Sequence, residues 1–362
     1  YYFLSHRLLI AKAAQREGFE VYVATHVEKH EEKLRQDGFT VFPTIFSRNN
    51  KNLLTQIKAL FQLVKIFRQV RPDIVHNIAL KAIVFGAIAS WINRLPKTIN
   101  LVAGLGVVFT DQSKKYKLIS RFARRLARVL LQHSGTLVIV QNSDDMSEMK
   151  LMAPRAKICL IRGSGVNIHD YAPILEPTGV VKVTLVGRML WHKGVGELVE
   201  ASRLLKSWGE ELEILLVGGL DFGNPACISK QQLLDWQSVG LIKWLGHQMD
   251  IARVWAESHI AVLPSYREGL PKSLLEAAAC GKPIIAADAP GCREIVVDRY
   301  NGFLVPVRNA EALAKAIQRL IHKPELRVKM GYRSRQLVCK EFSNEHVVEQ
   351  TMRIYHELLQ AT

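Results

Sequence analysis

Apolar residues recur along this chain in two alternating rhythms. A stretch with apolar positions three and four apart is followed by a short run of β-branched and aliphatic residues, and the pair then repeats. Leu8, Leu9, Ala13 and Ala14 form the first helical stripe, with Ser5 placed to cap it and Gly18 to end it. Residues 19–24 then alternate as a strand should. The same reading predicts helices near 28–37, 51–70, 80–92, 115–133 and 143–152. Strands are predicted at Thr40–Phe42, Asp73–His76, Thr98–Val102, Thr136–Val140 and Lys157–Ile161. Strict alternation of this kind implies a parallel sheet covered on both faces.

The rhythm breaks at residues 163–178, where Gly163-Ser-Gly-Val and Asp170-Tyr-Ala-Pro-Ile-Leu-Glu-Pro-Thr-Gly carry no period. It restarts with strands at Val181–Val186, Leu212–Val217, 241–245, 259–263, 283–286 and Gly302–Val305. Helices near 194–207, 229–238, 249–257, 271–280 and 309–322 lie between and after them. Residues 343–360 read as a long amphipathic helix, expected to cross back onto the first half. The expected organisation is an α/β domain over 1–162, a hinge over 163–178, a second α/β domain over 179–342 and a C-terminal helix over 343–362. At 362 residues the chain accommodates two such domains.

Charge changes this picture more than composition does. The net charge is +16, and residues 1–172 supply +14 of it with 26 Lys/Arg against 12 Asp/Glu. A basic half beside a nearly neutral half suits a polyanion or an anionic membrane face. The stretch 114–131 fits the second: Leu118, Phe122, Leu126 and Val129 form one stripe flanked by Lys114, Lys117, Arg121, Arg124, Arg125 and Arg128. The longest apolar run, Ala82 to Ile92, is too short to span a bilayer. Five scattered cysteines form no Cys-x-x-Cys pair, which argues against a disulfide framework or zinc site and for a reduced compartment.

Ligands of open α/β sheets bind beyond the carboxyl ends of the strands. In the second half those ends carry Gly187-Arg188 with Lys193 a few residues on, Gly218-Gly219, Gly246-His247, and the loop Glu268-Gly269-Leu270-Pro271. Arg188 can fork onto phosphate oxygens, and Lys193 adds a point charge. Pro271 suits the first turn of a helix, whose free N–H groups attract anions. Glu268 before that turn and Glu276 two turns inside can take hydroxyls on either side of a bound phosphate, as a nucleotide sugar presents them. No His/Asp/Glu cluster has metal-ligand spacing, so no metal and no other cofactor is expected. No strand is followed by Gly-x-Gly-x-x-Gly opening a helix, which disfavours a dinucleotide oxidoreductase.

These motifs resemble those of the retaining glycosyltransferases of family 4. The likeness is carried by GRMLWHKG (187–194), SYREGLPKSLLEA (265–277) and PGCREIV (290–296). SHRLLIAKAA (5–14), AGLGVVFTDQ (103–112), VQNSDDMSEM (140–149) and IRGSGVN (161–167) extend it over the whole chain. RMLWHKGV, VGGLDFGNPAC and LPSYREG place it nearest the group that builds bacterial lipid-linked glycans, O-antigens and capsules. The resemblance implies a GT-B fold, two Rossmann-like doubly wound domains facing across a cleft. It implies Arg188 and Lys193 on the donor diphosphate, Glu268 on the donor sugar and Glu276 on the ribose. Gly187, Gly218, Gly219, His247, Gly269, Leu270 and Pro271 would line the donor site, with Gly104 and Gly106 on the acceptor side. Catalysis would proceed with retention and without a protein nucleophile.

Two departures stand out. Position 167 is Asn where the family favours an acid. The family also opens with a strand and glycine-bearing loop ahead of the SHR helix. The native chain is therefore expected to begin about 10–15 residues earlier, room for a strand of usual length and its loop. The leading expectation is a sugar-transferring enzyme, peripheral at the cytoplasmic membrane face. It would use a nucleotide diphosphate sugar, UDP-linked hexose or N-acetylhexosamine, and a polyprenyl-diphosphate-linked saccharide, and would bind no nucleic acid. Its alternatives are transfer to a soluble acceptor, a GT-B nucleotide-sugar epimerase or hydrolase, and a non-catalytic nucleotide-sugar binder.

Overall fold

The computed structural model describes residues 2–27, 30–45, 52–104, 128–132 and 135–360. It divides into two compact units: Tyr1–Ser164 with Val347–Thr362, and Gly165–His346. Most of the expected basic helix 114–131, and Gly106, lie outside the described residues. Arg128 is described, and its Nε donates to the carbonyl of Met152 at 3.3 Å.

In the first unit, β1 (Tyr22–Thr25) pairs parallel with β2 (Thr40–Pro43). A separate parallel sheet has the order β3 (Val75–Ile78), β4 (Thr98–Val102), β5 (Thr136–Val140) and β6 (Lys157–Leu160). One face of this sheet presents Ile99, Leu101 and Ile139. These pack with Ile10, Ala13 and Ala14 of the helix Leu8–Arg16 and with Val347, Met352, Ile354 and Leu358 of the helix Asn344–Gln360. The C-terminal helix thus completes the first unit's core, as its amphipathic stripe requires. Its Tyr355 hydroxyl meets His76 Nδ1 at 2.7 Å. Burial lowers the pKa of His76 to about 3, with the Arg7 charge adding to the effect, so the ring is neutral at pH 7.

Ser5 does not cap the first helix. It lies inside the short helix Tyr2–His6, and its hydroxyl contacts His6 Nδ1 at 2.7 Å. A break at Arg7 separates that turn from Leu8–Arg16, whose N-cap position is Arg7 itself and carries no side-chain cap. Other caps follow the ordinary chemistry of a side-chain oxygen taking a free first-turn N–H: Asn52, Asn142, Ser229, Asp250 and Asn309.

The second unit holds one six-stranded parallel sheet. Its strands are β7 (Val181–Val186), β8 (Leu212–Val217), β9 (Lys243–Trp244), β10 (Ile260–Leu263), β11 (Ile284–Ala287) and β12 (Gly302–Val305). They lie in the order β12-β11-β10-β7-β8-β9. β10 and β11 are buried at every position, which explains their unbroken aliphatic sequences. Connections run one way from β7 to β9 and the other way from β10 to β12, so the topological switch lies between β7 and β10. Outside the carboxyl ends of two such strands is the crevice where doubly wound sheets take their ligands.

The helix Pro324–Glu341, which the apolar periodicity does not predict, pins the segment entering this unit. Buried Arg327 pairs with Glu176 and donates to the carbonyl of Leu320 at 2.6 Å. Arg335 donates to the carbonyls of Ile168 at 2.9 Å, Tyr171 at 2.8 Å and Ala279 at 2.7 Å. Asn167 makes a tight turn here, its Oδ1 accepting from the His169 N–H at 3.0 Å.

Candidate active site

The site is built from loops that follow strands on both sides of the switch. After β7 the chain runs through Gly187 and Arg188 into the turn Trp191–Lys193 and the helix Val195–Ser207. Gly194 has φ +76°, and a Cβ there would lie 2.2 Å from the carbonyl oxygen of Pro264, in the loop after β10. Only glycine lets these two loops touch. The carbonyl of His192 locks them further, accepting the Tyr266 N–H at 3.0 Å and the Ser265 hydroxyl at 3.1 Å.

That contact brings Lys193 Nζ within 2.6 Å of Glu268 Oε1, with both side chains largely buried. The pair spans 75 positions of sequence and bridges the ends of β7 and β10. Arg188 Nη1 pairs with an Asp221 carboxylate oxygen, joining the loop after β7 to the loop after β8. Gly218, first in the loop after β8, is where that loop meets the loop after β7. At φ +146°, its Cβ would fall 1.8 Å from the Gly187 oxygen. Its N–H donates to Gly246 at 2.7 Å, which draws in the loop after β9. Gly219 lies beside exposed His247, which leaves that imidazole at the rim.

The loop after β11 closes the far side. The N–H of Glu268 donates to the Pro290 carbonyl at 3.1 Å. Gly291, at φ +79°, leaves no room for a Cβ, which would lie 2.6 Å from the Gly269 oxygen and 2.7 Å from that of Glu268. Gly269, Leu270 and buried Pro271 lead into the helix Lys272–Ala279, whose first turn has no side-chain cap. The Pro271 carbonyl opens the helix, accepting the Leu274 N–H at 3.1 Å and the Leu275 N–H at 3.3 Å.

Glu276, on that helix, is buried. Burial pushes its carboxyl up to about 7, against the opposing pull of Lys272 at 3.9 Å and of a hydrogen bond from Tyr171. The Tyr171 hydroxyl is raised in turn, first by burial and then by the Glu276 charge. His192 is held below its usual range by burial and by Lys193, so it is neutral at pH 7. Tyr266 donates to Glu197 Oε1 at 2.5 Å and lies beneath the Arg308 guanidinium, 4.6 Å from the ring centroid. Burial and the Glu197 contact push its hydroxyl up to about 12.

Arg188, Lys193, Glu268, Gly187, Gly218, Gly219, Gly269, Leu270 and Pro271 thus gather in one unit around the strand ends. Glu276 lies on the adjoining helix and His247 at the edge. Gly104 belongs to the other unit, two residues beyond β4, with φ +117°. Sequence reasoning missed Asp221 and Tyr171. Asp221 stood in a quoted motif, VGGLDFGNPAC, with nothing local to mark it as the partner of Arg188. Tyr171 sat in an aperiodic linker, where a single aromatic gives no signal. Among the described residues no group of three or more His, Cys, Asp or Glu is placed to hold a metal ion.

Comparison with known proteins agrees over the full length. Residues 171–337 match the family described as Glycosyl transferases group 1, and residues 1–142 match the family described as Glycosyl transferase 4-like. The chain is 30% identical to the N,N'-diacetylbacillosaminyl-diphospho-undecaprenol alpha-1,3-N-acetylgalactosaminyltransferase of Campylobacter jejuni, covering 99% of this chain and 98% of that one. It is 24% identical to the UDP-Gal:alpha-D-GlcNAc-diphosphoundecaprenol alpha-1,3-galactosyltransferase of Escherichia coli, over 86% of this chain and 82% of the relative. Among solved structures, the sucrose-phosphate synthase of Thermosynechococcus elongatus superposes with a TM-score of 0.79 at 21% identity, covering 98% of this chain and 92% of that one. Anabaena HepE in complex with UDP superposes with a TM-score of 0.76, also at 21% identity, covering 97% and 95%. With a double-wound sheet in its second unit, charged loops at the switch point and matches along its whole length, the chain belongs to the family 4 glycosyltransferases, hexosyltransferases of the GT-B fold.

Proposed function

We propose that this enzyme transfers a hexose or N-acetylhexosamine from a UDP-sugar to a saccharide carried on a polyprenyl diphosphate, with retention of anomeric configuration, at the cytoplasmic face of the membrane. The observation that carries the reading is the Lys193–Glu268 pair across the β7/β10 switch, with Arg188–Asp221 beside it. Two cations and two carboxylates at one crevice suit a ligand with an anionic centre and hydroxyl-rich ends. An incoming diphosphate takes over Lys193 and Arg188 from their carboxylate partners. Glu268 is then free to accept hydroxyls of the donor sugar, and Glu276 those of the ribose. The Campylobacter and Escherichia relatives, whose names specify undecaprenol-linked acceptors, support the acceptor class.

In the transfer step the bond from the sugar's anomeric carbon to the diphosphate oxygen breaks, and negative charge grows on that oxygen. Arg188 and Lys193 stabilise the growing charge more than the ground state, which is what lowers a barrier. The acceptor hydroxyl attacks from the same face, and its proton passes to the departing phosphate oxygen. No side-chain nucleophile or metal is required. The test is a screen of nucleotide sugars for nucleoside diphosphate release, run with and without a lipid-diphosphate saccharide. Release that needs the lipid-linked acceptor and yields an α-linked product from an α-linked donor supports the reading. Equal release without acceptor, or turnover only with free sugars, would overturn it.

A further inference from the structure

Two carboxylates hold the cations of the crevice, and they differ in what they do once a ligand arrives. Glu268 turns to the donor sugar. Asp221, among the described residues, has Arg188 as its side-chain partner and no second task.

The backbone around Asp221 is fixed. Its N–H donates to Cys227 Sγ at 3.3 Å, and its carbonyl accepts the Asn224 N–H at 2.8 Å. The Asn224 carbonyl accepts the Cys227 N–H at 2.9 Å, and Asn224 Oδ1 accepts the Ala226 N–H at 3.0 Å. Residues 221–227 thus form a closed turn. That turn is stitched to the segment joining Arg188 to Lys193. The Met189 N–H donates to the Gly219 carbonyl at 3.1 Å, the Trp191 N–H to the Ala226 carbonyl at 2.9 Å, and the Ile228 N–H to the Met189 carbonyl at 2.9 Å. Met189 and Leu190 are fully buried. Folding therefore sets Asp221 beside Arg188 at a fixed separation.

An exposed ion pair loses much of its Coulomb gain in ordering two side chains, and is worth a factor of about five at most. Here the backbones are ordered already and the aspartate is short, so the pair lies at the upper end of that range. It is also open to an incoming anion, with Arg188 46% and Asp221 28% exposed. Arg188 and Lys193 are balanced in charge by Asp221 and Glu268, so these four groups offer a diphosphate no net attraction until the carboxylates give way.

We infer that Asp221 is a built-in competitor of the nucleoside diphosphate: it occupies Arg188 in the free enzyme and takes it back as the product leaves. It acts through Arg188 as a positioning residue and does not touch the sugar. The inference rests on the reading above that Arg188 meets the donor diphosphate, and adds how the same site discharges its product.

The experiment measures binding of UDP, inorganic diphosphate and uridine by calorimetry, and UDP dissociation by stopped flow. Asp221→Asn keeps the shape and removes the charge. UDP and inorganic diphosphate should each bind about fivefold tighter to this variant. UDP should dissociate about fivefold more slowly, because changes of this kind fall on the off-rate. Uridine, which carries no phosphate, should bind as it does to the wild type, and that arm also shows that the loop is intact. Inorganic diphosphate makes the test independent of the base on the donor. In an Arg188→Ala background the gain from Asp221→Asn should vanish, since its partner is gone. Unchanged or weaker UDP binding by Asp221→Asn would overturn the inference, and weaker binding would make Asp221 a group that orients Arg188 for phosphate. An equal gain for uridine, or a gain that survives Arg188→Ala, would overturn it as well. If Arg188→Ala alone binds UDP and inorganic diphosphate as the wild type does, the diphosphate reading falls and takes the inference with it.

Discussion

Replacing Glu276 by Gln should stabilise the second unit at pH 8 and leave it unchanged at pH 4. The carboxyl titrates at about 7 in the fold against an ordinary 4.5, because burial on the helix Lys272–Ala279 opposes its charge. At about 1.36 kcal/mol per unit, the fold bears about 3 kcal/mol to ionise it. The raised value means that the folded state holds the proton more tightly than the unfolded chain does. Stability linked to this group is therefore intact below about pH 4.5, declines as pH rises toward 7, and is fully lost above that. Gln keeps the shape and a hydrogen bond to Tyr171 and does not ionise. Urea unfolding followed by tryptophan fluorescence reads the second unit, which carries Trp191, Trp208, Trp236, Trp244 and Trp255. The variant's gain should climb from nothing at pH 4 to about 3 kcal/mol at pH 8. The same variant should bind nucleoside diphosphate more weakly, since a ribose hydroxyl donates better to a carboxylate than to an amide. A gain independent of pH, or a loss of stability at pH 8, would refute the assignment of the penalty to this carboxyl.

Arg188→Ala and Lys193→Ala should each cost about 2–4 kcal/mol in kcat/KM, the usual loss for one transition-state donor; near-native turnover in both would remove them from the site. By calorimetry with nucleoside diphosphate, Glu276→Ala should weaken binding, while Glu268→Ala should leave it nearly intact and depress turnover; the opposite pattern would reverse their roles. Gly291→Ala should displace the Glu268 loop, because its Cβ would press on two backbone oxygens at 2.6 and 2.7 Å. We expect reduced kcat and a stability loss of about 1–3 kcal/mol, as for a strained backbone site, checked by turnover and a melt. The first unit should lose stability as pH falls through 6.5, at up to about 1.4 kcal/mol per unit. The fold holds His76 neutral while the unfolded chain takes up a proton; His76→Gln should flatten the acid side of a pH–stability curve.

Much of the fold was legible because it is written locally. The fully buried β10 and β11 are aliphatic runs of fixed length, and the helices around them announce themselves by period and cap. The glycines at 194, 218 and 291 could be noticed, but not their reason, which is a carbonyl oxygen from a distant loop. The basic stretch 114–131 was also read from local periodicity, and it falls mostly outside the described residues. The helix Pro324–Glu341 escaped because its inward face is drawn partly from arginines, Arg327 and Arg335, that bond backbone carbonyls and carry no apolar stripe.

The sequence by itself determined the alternation of strand and helix, hence parallel sheets, and placed the candidate cations and carboxylates at strand ends. Those properties depend on a few adjacent residues and on chain direction. Only the tertiary structure decided which strand lies beside which. The order β12-β11-β10-β7-β8-β9 puts the ends of β7 and β10 together, though 77 positions separate Val186 from Leu263. It alone joined Lys193 to Glu268, Arg188 to Asp221 and Tyr171 to Glu276. It alone set the protonation of Glu276, because a carboxyl's pKa answers to the low-dielectric surroundings that packing creates and not to its neighbours in sequence.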